Sequence, residues 1–282
     1  MKPGVPPALL VASSHVARGT VGLRAAVHAA EALGHPTWSV PTVHLPWHPG
    51  QGPGTRAVWP PETFAAYADD LARSPHLAEV GGMMTGYLGE PSQADALAGL
   101  IGALRRANPR AIVVCDPVIG SERGLYVPLA VARAIRDTLV PVADIVTPNR
   151  HELAWLAGVS AVPGDNAGLA AAARGLGPRA LVTSAHAGTG RTGNLLVDGG
   201  GAVLASHSRT PAANSGTGDL TAALLLAHLV DGRADALRRA TASVDAVMAL
   251  AGAMGADELP LERARSALLA PDTGAVVLRA LA

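Results

Sequence analysis

Two glycines one residue apart, followed by an acid, stand in Asn214-Ser-Gly-Thr-Gly-Asp219, directly ahead of the apolar run LTAALLLAHL at 220–229. Glycines let a backbone bend closely around a ligand. The helix predicted from the apolar run would then turn its free N–H groups and its dipole toward an anion. Asp219 falls in the first turn of that helix. A carboxylate beside an oxyanion-binding pocket suits phosphoryl transfer, in which amides stabilise charge while the carboxylate accepts an alcohol proton. The plainer reading is an ordinary glycine turn with an Asp favoured at a helix N-terminus. Spacing alone does not separate the two; the rest of the chain bears on the choice.

Other acids sit where chemistry is expected. Asp116 follows the apolar run AIVVC at 111–115, so it is a carboxylate at a strand's end. Asn149 and Glu152 stand three apart, on one face of a predicted helix. Glu152 there is placed to orient metal-bound water, since Mg²⁺ keeps several waters and takes few carboxylates. The stretch Gly188-Thr-Gly-Arg-Thr-Gly193 fits G-x-G-x-x-G, but a dinucleotide fingerprint must open a helix. Here Leu195-Leu-Val197 and Asp198-Gly-Gly-Gly201 follow, which predicts a hairpin, with Arg191 in a loop near phosphate. No Walker A sequence occurs, so a P-loop is excluded.

These residues need elements to position them. Strands are predicted at 8–13, 37–43, 80–84, 111–115, 144–146 and 180–183. Helices are predicted at 21–32, 61–73, 92–108, 127–139, 150–157 and 167–176, with a loop or irregular lid at 44–59. Such alternation implies parallel strands with helical crossovers, an α/β three-layer αβα sandwich with a mostly parallel central sheet. After it come two strands around 198–201 and helices at 219–229, 239–253 and 261–269. No linker or repeat divides the 282 residues, so one domain is expected. Ligands in such sheets bind beyond the carboxyl ends of the strands. All the polar residues above fall there.

Composition agrees. Apolar residues make up 49%, charged residues 16%, and the formal net charge is zero, which fits a globular chain and argues against a nucleic-acid groove. Aromatics are only 3%, so aliphatic side chains and Ala must fill the core. Cys115 is the one cysteine, expected as a small buried hydrophobe. With no signal-like start and no stretch of about 20 apolar residues to cross a bilayer, a cytoplasmic protein without membrane partners is expected.

The GTGD stretch ahead of an Ala/Leu-rich helix resembles the ribokinase-like superfamily, and further segments resemble its pyridoxal kinase branch. They are Ser14-His-Val16 with Gly19, Thr42-Val43, Gly86-Tyr-Leu-Gly89, Asp116-Pro-Val-Ile-Gly120, Gly124-Leu-Tyr-Val127, and Thr147-Pro-Asn149 with Glu152. Their order agrees from residue 8 to about 250. The resemblance implies a ribokinase-like fold and an ATP-dependent kinase that phosphorylates the hydroxymethyl group of pyridoxal or a related B6 vitamer. It implies Asp219 as the catalytic base, with Gly216, Thr217 and Gly218 as the anion-binding turn. Asp116, Thr147, Asn149, Glu152, Thr183 and Ser184 are then expected at the nucleotide, with Mg²⁺ at Asp116 and Glu152. Ser14, Thr42, His44, His48 and Tyr87 are expected at the acceptor, where Ser14 could bond a ring nitrogen or hydroxyl. Plainer roles remain open for several: solvated loop positions for the two His, core packing for Tyr87, a strand end for Thr183. A homodimer is expected by resemblance alone.

The chain also departs from the branch. Where many relatives have Ser-Asn-His-Thr-Gln-Tyr-Gly, it has Pro46-Trp-His-Pro-Gly-Gln-Gly52. His48 persists and the polar Thr-Gln pair becomes Pro49-Gly50. Ser121 stands where many relatives place Asp, and Ser13 and Leu23 replace common Gln and Asn. Two alternatives follow. A hydroxymethylpyrimidine kinase of the same fold commonly has Cys at the position of Asp219 and lacks the Ser-His-Val opening. A non-catalytic B6-vitamer-binding protein would not need Asp219 or Glu152.

Overall fold

The computed structural model describes residues 6–177, 179–210 and 215–281. Asn214, the first residue of the glycine motif, lies outside them. Six strands form the parallel part of the sheet: β1 (Ala8–Val16), β2 (Thr37–Leu45), β3 (Val80–Thr85), β4 (Ile112–Cys115), β7 (Ile145–Val146) and β8 (Arg179–Ala185). A small antiparallel hairpin, β5 (Gly120–Ser121) with β6 (Gly124–Leu125), stands apart after β4. The antiparallel strands β9 (Arg191–Asp198), β10 (Gly201–Ser208) and β11 (Val277–Leu281) extend the sheet beyond β8. The order is β11-β10-β9-β8-β7-β4-β3-β1-β2.

The pleat explains the layers. Leu10 and Ala12 of β1 join the apolar layer with α2 (Pro61–Ala72), α3 (Gln93–Ala107), α4 (Leu129–Ala134), α5 (Arg150–Leu156) and α6 (Asn166–Arg174). Leu9 and Val11 join the opposite layer with α1 (Leu23–Ala32), α7 (Thr217–Val230), α8 (Ala236–Met254) and α9 (Arg265–Leu269). A strand covered on both faces must be apolar throughout, as β1 is until its polar end. Residues 220–228 of α7 are all buried between α1, α8 and the sheet. Its lack of a polar face is therefore a consequence of position.

The expected architecture is present, with differences at the edges. The 127–139 segment is α4 followed by a single π-turn over Ile135–Leu139. The 261–269 segment breaks at Ala264 into a short 3₁₀ turn and α9. The β5–β6 hairpin and β11 were not anticipated; the first pair is too short for a periodic signal, and β11 is an exposed edge strand. Gly188 to Gly193 does lead into the β9–β10 hairpin. Cys115 is buried in β4, where burial pushes its thiol up to about 12.

One turn decides how β1 meets α1. Gly22, at φ 57°, precedes α1, and a Cβ there would stand 2.3 Å from the Ser14 carbonyl oxygen. Left-handed strain and backbone overlap each cost about 1–3 kcal/mol. Gly22→Ala should lower the melting temperature by roughly 5–10 °C. An unchanged melting temperature would show that the turn can relax.

Candidate active site

The strand ends deliver three carboxylates to one buried place. Asp116 follows β4 and is 5% exposed; its Oδ1 accepts from Thr147 Oγ1 at 3.0 Å. Its Oδ2 lies 3.8 Å from where a Cβ on Gly218 would begin. Asp219 sits in the first turn of α7, with the amides of Gly22 and of Asp219 itself bonded to its carboxylate. Its Oδ1 is buried and unpartnered among the described residues. Desolvation lifts the Asp219 carboxyl to about 6 against the pull of those amides. Burial also raises Asp116, and the negative charges of Asp219 and Glu152 raise it further.

Glu152 is drawn into the scaffold. Its Oε1 accepts from the amides of Ile119 (2.8 Å) and Gly120 (3.2 Å), and Tyr126 brings its hydroxyl to 3.5 Å. Its Oε2 accepts from the Asn149 amide at 2.9 Å, one half of a capping box on α5. Asn149 Oδ1 takes the amides of His151 and Glu152, and Asn149 Nδ2 donates to Gly120 O at 2.9 Å. The Asn149–Glu152 pair thus pins the 119–120 loop to α5. Burial lifts the Glu152 carboxyl to about 6.

A cleft of about 1140 Å³ opens beside these groups, and Gly218, Thr217, Asn149, Thr183 and Ser184 all line it. Ser184 adopts φ 56° at an irregularity in the β8–β9 ladder, while Thr183 bridges to Asn149, and both residues line the cleft. Four arginines, at 123, 150, 191 and 209, line the cleft against one carboxylate, Glu122. Such an excess of guanidinium suits a polyphosphate, as does the opening of α7. Gly216 makes that opening possible: it has φ 88°, and a Cβ there would meet the Thr20 carbonyl at 2.1 Å.

A second cavity, of about 260 Å³, shares Ser215 with the cleft and reaches Val21 and His48. Burial pulls the His48 imidazole below its usual range, against the charge of Glu258, and its Nδ1 accepts from the Gly50 amide. The other acceptor-side residues are placed differently. Thr42 is fully buried and donates to the Tyr87 carbonyl at 2.6 Å, so it holds the 86–89 turn from beneath. His44 is exposed, with its ring 5.6 Å from that of His15. Ser14 is buried, with its Oγ against Gly22, and Tyr87 is half-buried. Sequence reasoning missed Asp257 and Glu258, which line the small cavity and pair with Arg18. It also missed His207 in the large cleft. None of the three lies in a recognisable motif.

A buried carboxylate beside a helix start suited to an anion, with a cationic cleft on one side and a small cavity on the other, accords with a small-molecule kinase of the ribokinase-like class. The comparisons with known proteins narrow this. Residues 18–262 match the family described as phosphomethylpyrimidine kinase. The pyridoxal kinase PdxY of Rubrobacter xylanophilus is 39% identical over 273 residues, covering 93% of this chain and 94% of the relative. A pyridoxine/pyridoxal/pyridoxamine kinase of Bordetella bronchiseptica is 37% identical, covering 88% and 90%. The pyridoxal kinase of Leishmania donovani, solved with ADP and pyridoxamine, superposes with a TM-score of 0.87 at 25% identity, covering 98% and 100%. The chain belongs to the pyridoxal kinase family.

Two predictions follow from the carboxylates. Glu152→Ala strands buried amides, each costing about 1–3 kcal/mol, so the melting temperature should fall by roughly 3–10 °C even in EDTA. No fall in EDTA would show that the carboxylate is not a structural tie. For Asp219, the folded carboxyl near 6 lies above its ordinary value. The stability it contributes is therefore present at low pH and lost as pH rises toward and through 6. Asp219→Asn should melt higher than wild type at pH 7, by a margin that shrinks toward pH 4. A variant that melts lower at pH 7 would contradict this.

Proposed function

We propose that the chain transfers the γ-phosphoryl group of ATP to the hydroxymethyl group of pyridoxal or a related B6 vitamer. The observation that carries this is Asp219 Oδ1, buried, unpartnered and next to the opening of α7. A buried carboxylate oxygen without a donor costs free energy until one arrives. The hydroxyl of an acceptor in the small cavity would supply it. Nucleotide in the arginine-lined cleft would place its phosphates at Thr217 and Gly218. The alcohol oxygen attacks γ-phosphorus as its proton passes to Asp219, and ADP leaves. A base held near 6 is ionised at neutral pH while still basic enough to take that proton.

The donor set also bears on Mg²⁺. No group of three or more His, Cys, Asp or Glu that could hold a metal occurs among the described residues. Asp116 Oδ2 makes no hydrogen bond among them, and the carboxylate is buried beside two others. One such oxygen fits an ion that arrives with the nucleotide phosphates and keeps its waters. The ion would neutralise charge on the phosphates. Asp116 would orient it, with Thr147 fixing the carboxylate plane, and Glu152 would act through the 119–120 loop.

Asp219→Asn should lower kcat about 10²–10⁴-fold in a coupled ADP-release assay with pyridoxal, pyridoxine and pyridoxamine, while ADP affinity changes little. In wild type, kcat/KM should fall about tenfold per pH unit below the apparent value near 6. Because Asp116 and Asp219 interact, that value belongs to the pair. A variant with kcat within about threefold of wild type, well short of the general-base range, would refute the mechanism. Turnover of hydroxymethylpyrimidine in preference to every B6 vitamer would refute the acceptor.

A further inference from the structure

The large cleft has a polar face built on one strand pair. The register opposes His207 to Thr192 and Ala205 to Asn194, so these residues share the sheet face that meets α8. Asn194 Nδ2 donates to Thr241 on α8 at 3.1 Å. Val244 and Met248 of α8 line the same part of the cleft, giving an apolar wall beside His207. The first turn of α7 supplies the anion-binding amides, so this wall lies where the nucleoside of a bound nucleotide must go. A flat heterocycle needs such a wall, together with a few polar groups at its edge.

The His207 side chain is only 9% exposed, and its ring is held from one side. Nδ1 lies 2.8 Å from Asp245 Oδ1 and 2.9 Å from the Ser208 carbonyl oxygen. A carbonyl cannot donate, so Nδ1 carries the proton and gives it to these two acceptors. In the neutral ring the lone pair is then on Nε2, which has no partner among the described residues. Asp245 is a positioning residue: it fixes both the ring's orientation and which nitrogen can accept.

We infer that His207 selects adenine, accepting a hydrogen bond at Nε2 from the 6-amino group of the base. This rests on reading the cleft as the nucleotide site. Guanine presents a 6-oxo acceptor at the same place, and two facing lone pairs leave both groups unsatisfied. A site that hydrogen-bonds one partner rejects an analogue that cannot complete the bond.

Calorimetric titration of ADP and GDP, with Mg²⁺ at pH 8, tests this without any acceptor and so without dependence on the vitamer. Wild type should bind ADP at least about tenfold more tightly than GDP. His207→Ala should weaken ADP about three- to tenfold and bring the ADP:GDP ratio toward one. His207→Phe keeps the ring's volume without Nε2 and should do the same, which covers the case that Ala does not fold. A folded variant whose ADP:GDP ratio stays within about twofold of wild type would overturn the role of His207. Equal binding of ADP and GDP by wild type would overturn it as well. Wild type that binds neither nucleotide would overturn the nucleotide cleft itself, a failure distinct from loss of vitamer turnover.

Discussion

The site depends on one backbone contact: the Thr20 carbonyl against the α-carbon of Gly216. Nothing larger than hydrogen fits, since a Cβ on Gly216 would lie 2.1 Å from that oxygen. Gly22 and Gly216, 194 residues apart in the chain, together let the β1–α1 turn and the start of α7 interlock. Gly22 then offers its amide to Asp219, and Gly216 takes the left-handed conformation from which α7 begins. The Asp219 carboxylate, the base we propose, is held by main chain, which has few alternative positions. Such placement is what a proton acceptor needs, because misplacement of a reacting group by about 1 Å can cost a hundredfold in rate.

Holding it there has an electrostatic cost. Asp116, Glu152 and Asp219 are all buried, and burial raises all three carboxyls. They are relieved unequally. Glu152 faces three amides and a phenol hydroxyl, so its charge is dispersed into the scaffold. Asp116 has one hydroxyl, from Thr147, and Asp219 has two amides and an empty oxygen. The least satisfied pair is therefore the one that the proposed ligands, a cation and a hydroxyl donor, would complete. The chain without ligands carries that frustration, and on the proposed function binding would remove it. The same reasoning explains why the neutral Asn is expected to stabilise the fold while disabling the chemistry.

Much of this was legible in the residues. The continuous apolar run at 111–115 read as a strand covered on both faces, and the glycine-acid motif marked the start of α7. What the sequence could not carry was the role of each polar atom. Glu152 and Asn149 were placed correctly on one helix turn, but spacing does not reveal that the carboxylate faces the amides of residues 119–120. Thr42 stood in a motif, yet its hydroxyl serves the Tyr87 carbonyl. Asp257 and Glu258 lie about 240 residues from Arg18, and only the tertiary fold brings them together. His207 sits in an alternating strand, where period alone assigns a face but not a partner.

The departure at residues 46–52 has a counterpart at the other end of the chain. Pro49 and Gly50 have no side-chain donors to offer an acceptor, and the turn they form is held instead through its neighbours. Gln51 Nε2 donates to Glu258 Oε1 at 2.9 Å, and Arg18 donates to both Gln51 Oε1 and Glu258 Oε1 at 2.7 Å. This network spans the β1–α1 turn, the β2 loop and the segment after α8, around the rim of the small cavity. It is mostly exposed, with Arg18 57% and Asp257 74% exposed around a Glu258 that is 21% exposed, so solvent and salt screen it. The two sides of the site are thus built on opposite principles. Asp219 and the turn that opens α7 rest on backbone packing that tolerates no displacement. The rim of the small cavity, where we propose the acceptor binds, rests on weak, exchangeable ion pairs, so its loop can vary without disturbing the position of Asp219.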